Sequence, residues 1–327
     1  MNIAFFEKLY SEGKLSDDSF KKIKTYAAQN LLSVHWELKT ILYLGILLFT
    51  SGLGILVYKN IDTIGHQVIL FTIATLSAGC FYYCIKHKRP FTRQKVESPN
   101  PFFDYILLAG CLSLITFIGY LQFKYNVFGD RYGLATFIPM IILFISAYYF
   151  DHLGILAMAI TNLAAWAGIA ITPSRILEDN DFNDTSLIFT GTALGVLLLT
   201  IANKTVAEKF KEHFAFTYLN FGMHILFISL LAGMFHFERL YLICFIVISA
   251  VFVWFCKKAV KERSFYTILI ISLYTYIAVS YVMIRALSLY SFDGMAVLYL
   301  GCLYFIISGI ATVMFLLKMN KRIKIIS

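Results

Sequence analysis

Twenty-two of the 28 Lys and Arg residues lie at the two ends of the chain or in every second connection between long apolar runs. Lys and Arg resist translocation, so a bias of this kind fixes how consecutive apolar segments thread a bilayer. The runs Thr40–Tyr58, His66–Ile85, Phe103–Phe123, Gly133–Phe150, Leu153–Ile171, Thr185–Ala202, Ala215–Phe235, Tyr241–Cys256, Phe265–Ala286 and Gly294–Leu317 read as ten spans. With both ends on the cytoplasmic side, the inner loops and tails hold six basic residues before the first span, five in 86–95, three in 204–211, four in 257–263 and four in 318–324. Only Lys59, Lys124, Arg131, Arg175, Arg239 and Arg285 are left outside. The expectation is an all-α polytopic integral membrane bundle of about ten transmembrane helices in a bacterial inner membrane.

Composition agrees with that threading. The chain is 59% hydrophobic and 14% charged, against roughly 45–50% and 25% in a soluble domain. Each run is long enough to cross a hydrocarbon layer of about 30 Å. A formal net charge of +9 in a soluble protein would suggest nucleic acid. Here the excess is concentrated on one side of the bilayer, where anionic inner-leaflet lipids attract it, and no nucleic-acid partner is implied.

Residues 1–38 read as a cytoplasmic helical hairpin, 39–318 as the membrane domain and 319–327 as a basic cytoplasmic tail. Ile3, Phe5, Phe6, Leu9 and Tyr10 form one apolar stripe, Gly13 makes a joint, and Ser16 is placed to cap a second helix carrying Asp17 and Asp18 in its first turn. Phe20, Ile23, Tyr26, Ala27 and Leu31 continue at helical spacing. Two helices this short cannot bury a core of their own, which points to docking on the membrane surface, on the cytoplasmic loops or on a cytoplasmic protein partner. Trp36 and Lys39 stand where an interfacial anchor belongs. Residues 1–38 have no short apolar core followed by a small-residue cleavage site, so no cleavable signal peptide is expected.

The six cysteines include no C-x-x-C pair, and the seven histidines show no H-x-x-H, H-x-x-x-H or H-E-x-x-H spacing. Neither a disulfide framework nor a metal site is indicated, no cofactor is implied, and no catalytic residue stands out. The acidic outer loop with Glu178, Asp179, Asp181 and Asp184 lacks the glycine and the terminal glutamate of a calcium loop. Gly191 and Gly195 form a G-x-x-x-G pair, read as a site of close helix approach.

Polar groups within spans are few, and they mark the candidate site because a polar group in hydrocarbon needs a partner or a cavity. Asn162 and Trp166 in the fifth run, and Asn220 and His224 in the seventh, are each spaced by four and so share a helix face. Convergence of those faces would make a polar pocket; separate pairing would make them interhelical hydrogen bonds. Arg285 is expected to snorkel outward or to pair with Asp293. Asp151 and His152 stand alone between the fourth and fifth runs, where they impose a tight cytoplasmic turn and form a possible proton-exchanging pair.

The stretches LYSEGKLSDDSF, YLGILLFTSGLGILVYKNID and NLAAWAGI lie within residues 5–170. In them the chain resembles a family of bacterial predicted integral membrane proteins of unknown function, which have a short cytoplasmic helical region before a Gly-punctuated first span. Ile61 departs from the Trp common at that place. The resemblance implies a polytopic inner-membrane protein and carries over no activity or site residues. The favoured function is a non-enzymatic scaffold or sensor-like component with a docking tail. The alternatives are a small-molecule or lipid carrier using the faces of the fifth and seventh spans, for which the breaks expected at Pro139 and the Gly-rich first span would serve, and a membrane-embedded enzyme.

Overall fold

The computed structural model describes residue 6 and residues 9–28, 35–59, 65–100, 102–129, 131, 133–171, 185–289 and 294–325. All regular structure among these is helical. The helices are α1 Asp17–Ala28, α2 His35–Lys59, α3 His66–His87, α4 Phe103–Tyr125, α5 Gly133–Phe150, α6 Leu153–Ile171, α7 Thr185–Ala207, α8 Ala215–His236, α9 Tyr241–Lys261, α10 Phe265–Leu289 and α11 Gly294–Ile325, with a short 3-10 turn, Glu212–Phe214, before α8. Helices α2 to α11 fall on the ten apolar runs. Among the described residues eight helices are long and apolar enough to cross a membrane, while α2 and α6 contribute the shorter apolar stretches Thr40–Gly52 and Leu153–Gly168. The protein is an all-α, multi-pass membrane bundle.

Residues 1–65 and 66–327 form two compact units. In the first, Gly13 at φ +70 turns the chain, and the Gly13 and Lys14 amides donate to the Tyr10 and Leu9 carbonyls. Ser16 Oγ accepts a long bond from the Ser19 amide at 3.4 Å, at the start of α1. Tyr10 stacks on Phe20 with centroids 4.3 Å apart, and its hydroxyl donates to Asp17 at 2.7 Å. That bond to a carboxylate raises the Tyr10 pKa. The side chains of Trp36 and Lys39 lie outside the described residues, as do the structures of Ile3, Phe5, Leu31 and the acidic loop of Glu178, Asp179, Asp181 and Asp184.

The second unit packs consecutive helices as antiparallel neighbours, α3 with α4, α5 with α6, α7 with α8 and α9 with α10, as short connections require. Leu107, Leu143, Ile155, Leu156, Ile160, Leu198, Phe227 and Phe255 are fully buried in one core. The α7/α8 contact is a tight one. A Cβ on Gly195 would lie 2.8 Å from the Leu226 amide nitrogen, and one on Gly222 would lie 3.1 Å from the Gly195 carbonyl oxygen. The G-x-x-x-G pair thus lets one backbone rest on another. Helix α5 continues without interruption through the buried Pro139.

At the end of α4, buried Gln122 holds the following turn together. Its Nε2 donates to Asn126 Oδ1 at 2.8 Å and the Gly129 carbonyl at 3.1 Å, and its Oε1 accepts from the Phe128 amide at 3.0 Å. Asn126 takes the left-handed conformation, φ 46, that ends the helix. Gln122→Leu leaves the Phe128 N–H and the Gly129 carbonyl without this partner. It is expected to cost about 1–3 kcal/mol, measured by unfolding in SDS–detergent mixed micelles; a loss below a few tenths would show that the turn holds itself.

Candidate functional site

Three connections on one end of the bundle meet around Asp151: residues 88–102 between α3 and α4, residues 151–152 between α5 and α6, and residues 208–214 between α7 and α8. Asp151 occupies the left-handed region at φ 59, and the next amide, His152 N–H, reaches back to the Ala147 carbonyl at 3.0 Å. This six-to-one bond is a Schellman ending. Aspartate tolerates such a φ better than most residues, so α5 can stop and α6 start within two residues.

The turn leaves the Asp151 carboxylate, only 2% exposed, pointing between the loops. His213 Nε2 donates to its Oδ1 at 2.6 Å, Lys211 Nζ sits 3.1 Å from its Oδ2, and the Val96 amide donates to the same oxygen. Lys211 is fully buried. Its Nζ also donates to the Gln94 carbonyl at 3.2 Å and lies 4.8 Å above the Phe91 ring, while its own amide donates to the Arg93 carbonyl at 2.8 Å. Lys211 too has positive φ, 50, a conformation sparsely used by non-glycine residues. Buried charge of this kind persists only when it is paired and hydrogen-bonded.

Aromatic rings floor the cluster. Tyr148 stacks on Phe210 at 5.9 Å, meets Phe214 edge-on at 5.1 Å and shares a 2.9 Å hydroxyl contact with Tyr218 of α8. Beside it, Ser98 donates to Asp104, and Asn100 Oδ1 accepts the Phe103 amide at 2.8 Å at the start of α4. The cavity bounded by Phe91, Ser98, Tyr149, Asp151 and Lys211 measures about 10 Å³, at the lower limit for a single water. The arrangement is a closed clamp rather than a substrate chamber.

The proposed Asp151/His152 pair divides its partners. While Asp151 serves His213 and Lys211, His152 caps α6, accepting the Ile155 amide on Nδ1 at 3.2 Å, and turns Nε2 toward Asp104 at 4.0 Å. Gly154 makes room for this ring, since a Cβ there would lie 2.9 Å from His152 Cε1.

Asn220 and His224 meet α10: Tyr266 donates to Asn220 Oδ1 at 3.0 Å, and His224 Nδ1 lies 2.8 Å from the Tyr274 hydroxyl. Asn162 donates to the Met158 carbonyl of its own helix at 3.0 Å, and Trp166 packs on Phe137 of α5 with centroids 5.3 Å apart. These contacts run from α8 to α10 and from α6 to α5, not between the two pairs. Arg285 lies 3.4 Å from Glu238 and donates from Nε to Tyr281 at 3.1 Å; Asp293 falls outside the described residues. No group of three or more His, Cys, Asp or Glu converges on a metal position among the described residues.

Lys211 and His213 were not singled out by sequence, where Lys211 counts only as one of three basic residues in 204–211 and His213 as one of seven histidines; Asp104 was read as a headgroup-level residue at the start of the third span, with no partner assigned. The available signal was topological: loops two, four and six share one side, and a two-residue turn containing a lone aspartate must offer its charge to whichever neighbours reach it.

A family model described as "Predicted membrane protein (DUF2157)" matches residues 7–156. That segment contains the stretches LYSEGKLSDDSF and YLGILLFTSGLGILVYKNID, in agreement with the resemblance read from them. The DUF2157 match spans a little under half of the chain, taking in Asp104, Asp151 and His152 and ending before Lys211 and His213. The clamp therefore joins the DUF2157-like part to the helices that follow it. Over 123 residues the chain is 28% identical to "UbiA prenyltransferase domain-containing protein 1" of Xenopus tropicalis, covering 38% of this chain and 31% of that protein. The chain thus matches under a third of that relative's length, and the likeness establishes no activity. No solved structure matches the chain.

Proposed function

We propose that the protein is a non-enzymatic scaffold or sensor-like component of a bacterial inner membrane, with both termini cytoplasmic and the N-terminal hairpin docking a cytoplasmic protein. The observation that carries this reading is the fully buried Lys211, whose charge is consumed inside the protein by Asp151 and Gln94. Ionisable groups that mark transport or catalysis face a passage or a substrate; here the buried ion pair fastens three loops into one platform. Around it Arg89, Arg93, Lys95, Lys204 and Lys209 remain exposed, a basic rim suited to anionic inner-leaflet lipid.

Photo-crosslinkers placed at the exposed Tyr10 and Lys14 are expected to capture one defined protein in cells, and Phe20→Ala, which removes the ring stacked on Tyr10, to abolish that adduct. Solute flux through proteoliposomes that disappears in His224→Ala would overturn the scaffold reading in favour of a carrier. Alkaline phosphatase fused after Lys88, Lys209 or Lys321 is expected to be inactive, and after Asp179 active. Activity at Lys209 would refute the threading.

The likeness to a prenyltransferase-domain protein supports a second reading, a membrane-embedded enzyme. Transfer of a prenyl group by the purified protein in nanodiscs would establish it and displace the scaffold.

A further inference from the structure

Helices α9, α10 and α11 enclose a groove of about 300 Å³, the lower end of the range for small-molecule sites. Six hydroxyl side chains line it, and five have partners. Ser272 donates to the Ile268 carbonyl at 2.7 Å and Thr312 to the Ser308 carbonyl at 2.8 Å. Tyr276 meets Ser308 at 3.2 Å, and Tyr304 meets Ser280 at 3.1 Å. Thr275 Oγ1 is buried with no hydrogen-bond partner.

Among the described residues it is a buried side-chain oxygen without a partner, unlike that of most helical threonines of this chain. Thr72, Thr75, Thr116, Thr161, Thr192 and Thr205 each donate to the carbonyl four residues earlier, at 2.7 to 2.9 Å, which is how a helix in lipid satisfies a hydroxyl. Thr275 makes no such bond, and the residue lines the groove. It is the eleventh residue of α10, about 15 Å along the helix axis and so close to the middle of a hydrocarbon layer of about 30 Å. A charged headgroup at that depth is costly, and the groove offers no charged side chain to offset it.

We propose that this groove binds a neutral, long-chain lipid bearing a carbonyl group, which accepts a hydrogen bond from Thr275. The apolar chain lies between Phe252 and Phe315, whose ring centroids are 6.2 Å apart, and the exposed Val279 and Ala311. The paired hydroxyls of Tyr276–Ser308 and Ser280–Tyr304 hold α10 to α11 and keep the groove at a fixed width. This site is independent of the platform proposed above, since none of its residues belongs to the loops around Asp151.

The test is photolabelling of the full chain in nanodiscs with an alkynyl benzophenone carrying a long alkyl chain, whose one carbonyl serves both as acceptor and as crosslinker. Label is expected on α10 and α11 peptides, reduced about fivefold to tenfold in Thr275→Val, as loss of one hydrogen bond implies, and to background in Ala311→Phe, which fills the groove. Thr275→Val keeps the side-chain shape and breaks no internal bond, so its Tm without probe should equal that of the parent protein. Equal labelling of parent and Thr275→Val, or label spread evenly over all lipid-facing helices, would reduce the groove to a site for ordinary bilayer chains. A Tm lowered by several degrees in Thr275→Val would show that the hydroxyl is used inside the protein, and would also sink the proposal.

Discussion

Lys211→Met is expected to destabilise the bundle by about 3–5 kcal/mol and, by loosening the loop that carries the exposed Arg89, Arg93 and Lys95, to speed its cleavage by trypsin. The methionine fills much the same volume but leaves the Asp151 carboxylate, 2% exposed, with one cationic neighbour fewer, and leaves the Gln94 carbonyl without its 3.2 Å donor. Removing one member of a buried ion pair costs more than the pair contributes, because the abandoned charge cannot return to water. Asp151→Asn tests the other side of the contact. Asparagine tolerates the left-handed φ of this turn and can still accept from His213 while losing its charge. The double variant Asp151→Asn/Lys211→Met should therefore lose less than the sum of the single losses, by about 1–3 kcal/mol. Measured by unfolding in SDS–detergent mixed micelles with tryptic mapping, a single-variant loss under 1 kcal/mol, or strict additivity, would show that the three loops are held by their aromatic contacts alone.

Gly195→Leu is expected to yield no monodisperse folded protein, and Gly195→Ala to cost about 1–3 kcal/mol. A Cβ at this position would stand 2.8 Å from both the nitrogen and the Cβ of Leu226 and 2.9 Å from its Cα. Two of those atoms are backbone, so relief requires α7 and α8 to separate. Separation would forfeit dispersion contacts along the whole interface, including those of the buried Leu198, Leu226 and Phe227. Gly191→Ala is the milder companion, since the atom in the way is the Ser229 hydroxyl oxygen, at the end of a side chain that can rotate. Size-exclusion profiles in detergent distinguish the cases; a well-folded Gly195→Leu would show that α7 and α8 have slack that their geometry does not reveal.

The helices were legible because lipid enforces a local rule. Every backbone amide in hydrocarbon must be bonded within its own segment, so an apolar run such as Tyr241–Cys256 becomes a helix whatever its neighbours do. The close approach at Gly191 and Gly195 was legible for a related reason, since a missing side chain is a property of the residue itself. The polar pairs were legible as pairs but not in their partners. Asn220 and His224 share a face by spacing, yet that they meet Tyr266 and Tyr274 depends on which helix packs against α8, and on its rotation. Arg285 likewise has Glu238 beside it, from a turn 47 positions earlier in the chain.

Sequence by itself determined that this protein is a multi-pass helical membrane bundle and that Asp151 and His152 share a two-residue turn, because hydropathy and chain length act on each segment separately. Only the tertiary structure decided that Asp151 faces His213 and Lys211, that His152 turns toward Asp104, and that Thr275 Oγ1 is buried without a hydrogen-bond partner. The physical reason is that a charge or a hydroxyl is satisfied by whatever atoms lie within about 3–4 Å, and residues as far apart in sequence as Asp151 and His213 or Gln94 and Lys211 come that close only after the helices have packed.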